Sequence, residues 1–178
     1  LPDAIPGAVN TLLSSQYREY SGRVGTLGEV FSSTSIRGKS TGAAMGVPLE
    51  EAGRAVETIL NVHVNSKSFP GVIALRYVKK SEALLAFTRF NMTCVIDLDA
   101  VDNNVSRQFF RNVWNAFEKQ NIPYTMHWGK ANELTSDQLQ TMYGDDLETW
   151  LSERRKLMGT ETCRLFSSPF TDQCGLSV

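Results

Sequence analysis

Between Thr41 and Lys130 the hydrophobic period of the chain switches from two to about 3.6 and back, twice, and this limits the fold more than any other feature. Ala43 to Val47 is a short apolar run ended by Pro48, after which Leu49 to Val64 sets Ala52, Val56, Ile59, Leu60 and His63 on one helical stripe. Beyond Pro70-Gly71, Val72 to Val78 alternates, with Ile73, Leu75 and Tyr77 opposed to Val72, Ala74, Arg76 and Val78. Asn91 to Asp99 alternates again, setting Met92, Cys94, Ile96 and Leu98 against Thr93, Val95, Asp97 and Asp99. A second helix follows, whose Phe109, Phe110, Val113, Trp114 and Phe117 form a wide stripe expected to be core, and Asn121 and Pro123 end it. Tyr124, Met126 and Trp128 then alternate with Thr125, His127 and Gly129 as a last strand.

The order β-α-β-β-α-β predicts an α+β fold of the split βαβ, ferredoxin-like kind, an antiparallel sheet with both helices on one face. Strand phase then predicts what each face carries. The apolar sets should meet the helices, leaving Arg76, Thr93, Asp97, Asp99, Thr125 and His127 on the open face. Three segments result. Residues 1–40 are an irregular lead-in, helix-compatible from Thr11 to Tyr20 but broken by Gly22, Gly25, Gly28 and Gly38 and by the Ser/Thr run Ser32 to Ser35. Residues 41–130 are the ferredoxin-like unit. Residues 131–178 are a helical extension that opens on Thr135-x-x-Gln138, a capping-box pattern, and ends in a tail with a turn-like Ser168-Pro169.

Composition removes several classes of function. A 178-residue chain with 42% hydrophobic and 21% charged residues suits one soluble domain with an extension. No apolar run approaches the roughly 20 residues that cross a bilayer, so no transmembrane segment is expected. A net charge of −1 lacks the footprint that nucleic acid or an anionic membrane requires. Cys94, Cys163 and Cys174 have no metal-binding spacing, and no metal site is expected. Cys163 and Cys174 are near enough in the tail to pair in an oxidising compartment, whereas Cys94 fits a buried small hydrophobe. The sequons Asn91-Met92-Thr93 and Asn104-Val105-Ser106 lean toward the secretory pathway. Gly22, Gly25 and Gly28 lack the strand and helix that a phosphate loop needs. His63 is expected to border the helix-sheet core or the surface, and Glu153 to Lys156 to be a solvated helix end. The start, Leu1-Pro2-Asp3, has neither a basic leader nor an initiator Met, as expected of a processed or excised chain.

The run Tyr124-Thr125-Met126-His127-Trp128-Gly129-Lys130 contains His-Trp-Gly-Lys at the end of the ferredoxin-like unit. This motif resembles the C-terminal motif of the aldonolactone and alditol oxidases, members of the vanillyl-alcohol-oxidase flavoprotein superfamily. Leu27-Gly28-Glu29-Val30-Phe31 is similar to the stretch entering the cap domain of that family, and Met158 with Phe166-Ser167-Ser168-Pro169-Phe170 and Gly175-Leu176 to its closing segment. The resemblance covers most of the chain, and only the four-residue motif is specific.

The resemblance implies a substrate-capping domain whose open sheet face lies over an FAD, with that FAD held mainly by a domain or chain other than this one. It implies hydride transfer from an alcohol substrate to the flavin, with Arg76, His127 and Lys130 as catalytic residues. His127 and Lys130 would also touch the cofactor. The family usually has a Glu-x-Arg pair on its second strand, where this chain reads Ala74-Leu75-Arg76. Arg76 matches and the glutamate does not, leaving Asp97 and Asp99, with Thr125, as the candidates for binding substrate hydroxyls. Read without the resemblance, the same residues also suit a free-standing ferredoxin-like module that binds or dimerises through its open face, with Arg76 paired to Asp97 or Asp99 as a structural ion pair.

Overall fold

A computed structural model of the chain describes residues 11, 25–26, 39–66, 69 and 71–177. It divides into two compact units, Leu1–Lys39 and Ser40–Val178. The expected lead-in helix beyond Thr11, the stretch Leu27 to Phe31 and the Ser/Thr run lie outside the described residues.

The second unit runs β1 (Ser40–Pro48), a 3-10 turn (Leu49–Glu51), α1 (Ala52–Asn65), β2 (Gly71–Lys79), β3 (Met92–Val101), α2 (Asn104–Lys119), β4 (Thr125–Met126), α3 (Ser136–Tyr143), α4 (Asp145–Leu157), α5 (Thr160–Leu165) and α6 (Pro169–Gln173). The strands form one antiparallel sheet in the order β2-β3-β1-β4. This is the α+β, ferredoxin-like arrangement, with β2 at one edge and β4 at the other.

Ala43, Met45 and Val47 of β1, Cys94, Ile96 and Leu98 of β3 and Met126 of β4 are all buried, and they belong to one core with Ala55 and Ile59 of α1 and Phe109, Phe110, Val113 and Phe117 of α2. Asn103 caps α2 by accepting from the Ser106 N–H at 2.9 Å, and Phe109 stacks on Phe69 with ring centroids 4.3 Å apart. Helix α2 closes at Asn121, which takes the left-handed conformation at φ 51. The expected α1 stripe is turned slightly: Ala55 and Thr58 are buried, while Leu60 is 49% exposed. Thr58 is satisfied by its hydroxyl, whose one proton lies between the Arg54 carbonyl at 2.8 Å and Gln120 Oε1 at 3.0 Å. His63 borders the core as expected, its Nδ1 accepting from the Phe69 N–H at 3.3 Å.

The extension packs into that same core through Leu134, Leu139, Tyr143, Leu147, Leu151, Cys174 and Leu176. Thr135 and Gln138 form the expected capping box at the start of α3. The helical extension is broken at Gly144, whose φ of +52 suits a residue without Cβ, so α3 and α4 are separate. Ser168-Pro169 is not a free turn but the capped start of α6, with Pro at its first helical positions. Cys163 and Cys174 are buried free thiols here, and each donates to a different carbonyl, Met158 at 3.7 Å and Leu134 at 3.6 Å. Asn91 and Asn104 are exposed. Among the described residues no helix is long and apolar enough to cross a membrane.

Candidate functional site

The second face of the sheet starts from β1, where Gly42, Ala44 and Gly46 alternate with the core residues. In register, Gly42 lies opposite Asp99, Ala44 opposite Asp97 and Gly46 opposite Val95. On the far side of β3, Ala74 of β2 faces Asp97 and Arg76 faces Val95. Small residues therefore flank Asp97 on both neighbouring strands, and longer side chains from the sheet edges can lie across it. A Cβ at Gly42 would run into the Asp99 carboxylate, and one at Gly46 would come within 2.5 Å of the Phe87 carbonyl oxygen. Both positions require glycine for close approach.

This face is not open along its length, which corrects the sequence expectation. Thr93, Val95, Asp97 and Thr125 are all at most 2% exposed. Residues 80–91, between β2 and β3, fold back beneath the sheet: the Phe87 carbonyl accepts from Thr125 Oγ1 at 2.5 Å, and the Leu85 carbonyl from Trp128 Nε1 at 2.8 Å. Arg89 ties the segment to the extension through the Met142 carbonyl and, at 3.0 Å, the Asp146 carboxylate. Burying Thr125 without that carbonyl would leave its hydroxyl unsatisfied at considerable cost.

Strand β4 is also shorter than its alternation suggests. Its ladder stops at Met126, the His127 N–H still donates to the Ala44 carbonyl at 3.0 Å, and the chain then turns through Trp128-Gly129. The Ala131 N–H returns to the Gly42 carbonyl at 2.8 Å. That turn throws Lys130 back across β1. Its Nζ donates to Asp97 Oδ1 at 2.7 Å and to Asp99 Oδ1 at 3.0 Å. From the opposite edge, Arg76 Nη2 donates to Asp97 Oδ2. Arg76, Asp97, Lys130 and Asp99 are thus one cluster of two cations and two carboxylates.

Burial pushes the Asp97 carboxyl up, but hydrogen bonds and charge from Lys130 and Arg76 outweigh it and hold the group below the usual carboxylate range. Burial likewise pulls Lys130 down, and its bonds to Asp97 and Asp99 more than compensate, so the ammonium titrates above its ordinary value. Both groups are charged at neutral pH. Asp99, with its side chain 58% exposed, has one oxygen on Lys130 and lines a 350 Å³ recess with Ser40, Thr41, Gly42, Gly129, Lys130 and Ala131.

His127 sits beside the cluster, its carbonyl accepting from the Lys130 N–H at 3.3 Å. Its ring packs 4.7 Å from Phe87, and its Nδ1 accepts from the Gly129 N–H at 3.0 Å. That bond assigns the proton of the neutral ring to Nε2, which is then the ring's donor. Of the sequence candidates, Arg76, Asp97, Asp99 and Lys130 meet, His127 adjoins them, and Thr125 lies beneath Phe87. The periodicity missed Leu85, Phe87 and Arg89, whose segment alternates in neither period; the glycines of β1 were the available sign that something approaches closely there.

A larger cleft, of 1430 Å³, opens among α2, α3 and the start of β3, with Met92, Trp114, Tyr124 and Met142 in its walls. It contains none of Arg76, His127 and Lys130. Among the described residues no group of three or more His, Cys, Asp or Glu side chains could hold a metal ion.

A comparison with curated proteins returned no match. The D-arabinono-1,4-lactone oxidase family model matches residues 1–166, which takes in the whole sheet, the His-Trp-Gly-Lys turn and most of the extension. The fold, the motif and this match together make the chain a member of the D-arabinono-1,4-lactone oxidase family, corresponding to the C-terminal domain of FAD-linked aldonolactone oxidases.

Proposed function

We propose that this chain forms the substrate-capping face of an FAD-dependent oxidase that removes hydride from an alcohol carbon of a sugar, aldonolactone, polyol or similar compound. The observation that carries this reading is the convergence of Arg76 and Lys130, from opposite edges of the sheet, on Asp97 beside the family's motif turn. The flavin, when bound, supplies the hydride acceptor. The residues present fit such a group by charge. The Arg76 side chain is 63% exposed and that of Lys130 27%, so both heads retain access to an electron-rich partner while anchored below.

Removing hydride from an alcohol also requires the hydroxyl proton to leave and the developing negative charge to be stabilised. Lys130 is kept protonated, so it serves as a cation and donor rather than a base. Arg76 serves in the same way. His127, protonated on Nε2, would donate to a substrate oxygen. Asp97 has both oxygens engaged, whereas Asp99 has one oxygen that no described residue hydrogen-bonds and stands at the recess, which makes it the carboxylate suited to receive a hydroxyl proton. Thr125, already bonded to Phe87, would act by supporting the covering segment.

The long exposed edge β2 favours the rival reading of an association module, since Tyr77 is 61% and Leu75 42% exposed there. One experiment separates the two. The protein, assembled with an FAD-binding domain, is mixed anaerobically with a panel of aldonolactones, alditols and other secondary alcohols. Bleaching of the flavin by any of them supports the oxidase cap; an assembled, flavin-loaded protein that no member of the panel bleaches contradicts it.

A further inference from the structure

Asp97 is an unusual residue to find in the middle of a sheet. Its side chain is 3% exposed, and its partners in register on either side are Ala44 and Ala74. A carboxylate taken out of water in this way must be repaid by well-placed donors. A single ion pair would leave one of its oxygens without a donor. Asp97 has two, one on each oxygen, and they come from opposite edges of the sheet: Arg76 of β2 on Oδ2 and Lys130, beyond β4, on Oδ1 at 2.7 Å.

The arrangement is layered, with the anion below and the cations above it. Two flexible side chains of like charge would otherwise separate, each losing rotamer freedom if held. Bound to one buried carboxylate, they are fixed as neighbours. Of the five guanidinium N–H groups, one bond goes to Asp97, and of the three ammonium protons, two go to Asp97 and Asp99. Among the described residues, donors are left over on both heads. Asp99, exposed and among the described residues bonded only to Lys130, does not bridge the two cations.

We propose that Asp97 is a positioning residue, which clamps Arg76 and Lys130 side by side as a single two-headed donor toward an oxygen of the bound substrate or cofactor. The clamp itself rests on geometry alone, and its purpose rests on the oxidase-cap reading above. Asp97 itself touches no ligand.

The test uses Asp97→Asn and Asp97→Glu in the full chain, observed by NMR at Lys130 Nζ and Arg76 Nε, and the same variants in the flavin-loaded assembly. In Asp97→Asn the Lys130 midpoint should fall, because one of its two carboxylate partners is lost, and the Arg76 Nε–H should exchange faster with water. In the assembly kcat should drop about tenfold or more with little change in KM. Asp97→Glu, which keeps the charge, should recover part of both. Folded Asp97→Asn protein with unchanged Lys130 and Arg76 signals overturns the clamp. A lost clamp with kcat unmoved, while Lys130→Met lowers kcat, overturns the positioning role. If neither variant moves kcat, the oxidase-cap reading fails instead. Should Asp97→Asn not fold, Arg76→Gln gives the same information at an exposed side chain: the Lys130 midpoint must rise, and a fixed midpoint overturns the clamp.

Discussion

The two faces of this sheet are built by different rules. Toward α1 and α2, Met45, Ile96, Leu98, Phe109 and Phe117 are fully buried and interact by packing alone. On the other side the residues at the same depth include Thr93, Asp97 and Thr125, each of which needs a named partner. The apolar face gains stability in proportion to area and accepts substitutions that keep volume. The polar face contributes less and specifies more, because each buried group there fixes the position of something else: Thr125 the Phe87 segment, Asp97 the two cations. A protein that must hold charges over a ligand can keep its stability on one face and its chemistry on the other.

That contrast can be broken at several points. Phe109→Ala removes a fully buried ring stacked on Phe69 and should lower unfolding free energy by about 3–5 kcal/mol in urea titration. A loss below about 1 kcal/mol would mean that the helix-side face does not dominate stability. Gly46→Val forces a side chain toward the Phe87 carbonyl and should cost about 1–3 kcal/mol, with the damage confined to the 80–91 segment in amide exchange.

Asp97→Ala should cost about 1–2 kcal/mol, less than a fully buried pair, because the cations it frees can reach water. Its signature is pH. The Asp97 carboxyl is depressed in the fold, so its contribution is present above the unfolded value near ~3.9 and is lost as pH falls through the lower folded value. Lys130 is raised, so its contribution is present below about 10.4 and is lost as pH rises through the higher folded value. Urea unfolding across pH should therefore show both limbs flattened in the variant, with Asp99 retaining part of the alkaline one. The smallest effect is expected on the exposed edge, where Tyr77→Ser should change stability by less than about 0.5 kcal/mol. A larger loss there would show that β2 is covered in the folded protein.

Strands β1 to β3 and helices α1 and α2 were legible because each keeps its own period along its length, and the aromatic stripe of α2 could face only inward. His-Trp-Gly-Lys was legible because it is local. What the sequence did not show depends on distant pairing. Asp97 meets Arg76 and Lys130 only because the strand order puts β3 between β2 and β1 and the turn after Met126 sends Lys130 back over β1. The covering of the second face was hidden because residues 80–91 hold position through their backbone carbonyls, at Leu85 and Phe87, and carbonyls leave no mark on a pattern of side chains. The early end of β4 has the same origin, since the indole of Trp128 follows the Leu85 carbonyl instead of continuing the ladder. Gly42 and Gly46 did carry a readable sign of close approach, although nothing in the sequence says to which partner.

The most direct test of the account is the rate of anaerobic flavin reduction by an accepted alcohol in the flavin-loaded protein, compared between the unmodified chain and Lys130→Met. The account predicts a fall of about 100-fold or more in the limiting reduction rate, with FAD still bound and the fold intact. An unchanged reduction rate in a folded, flavin-loaded Lys130→Met protein would contradict it.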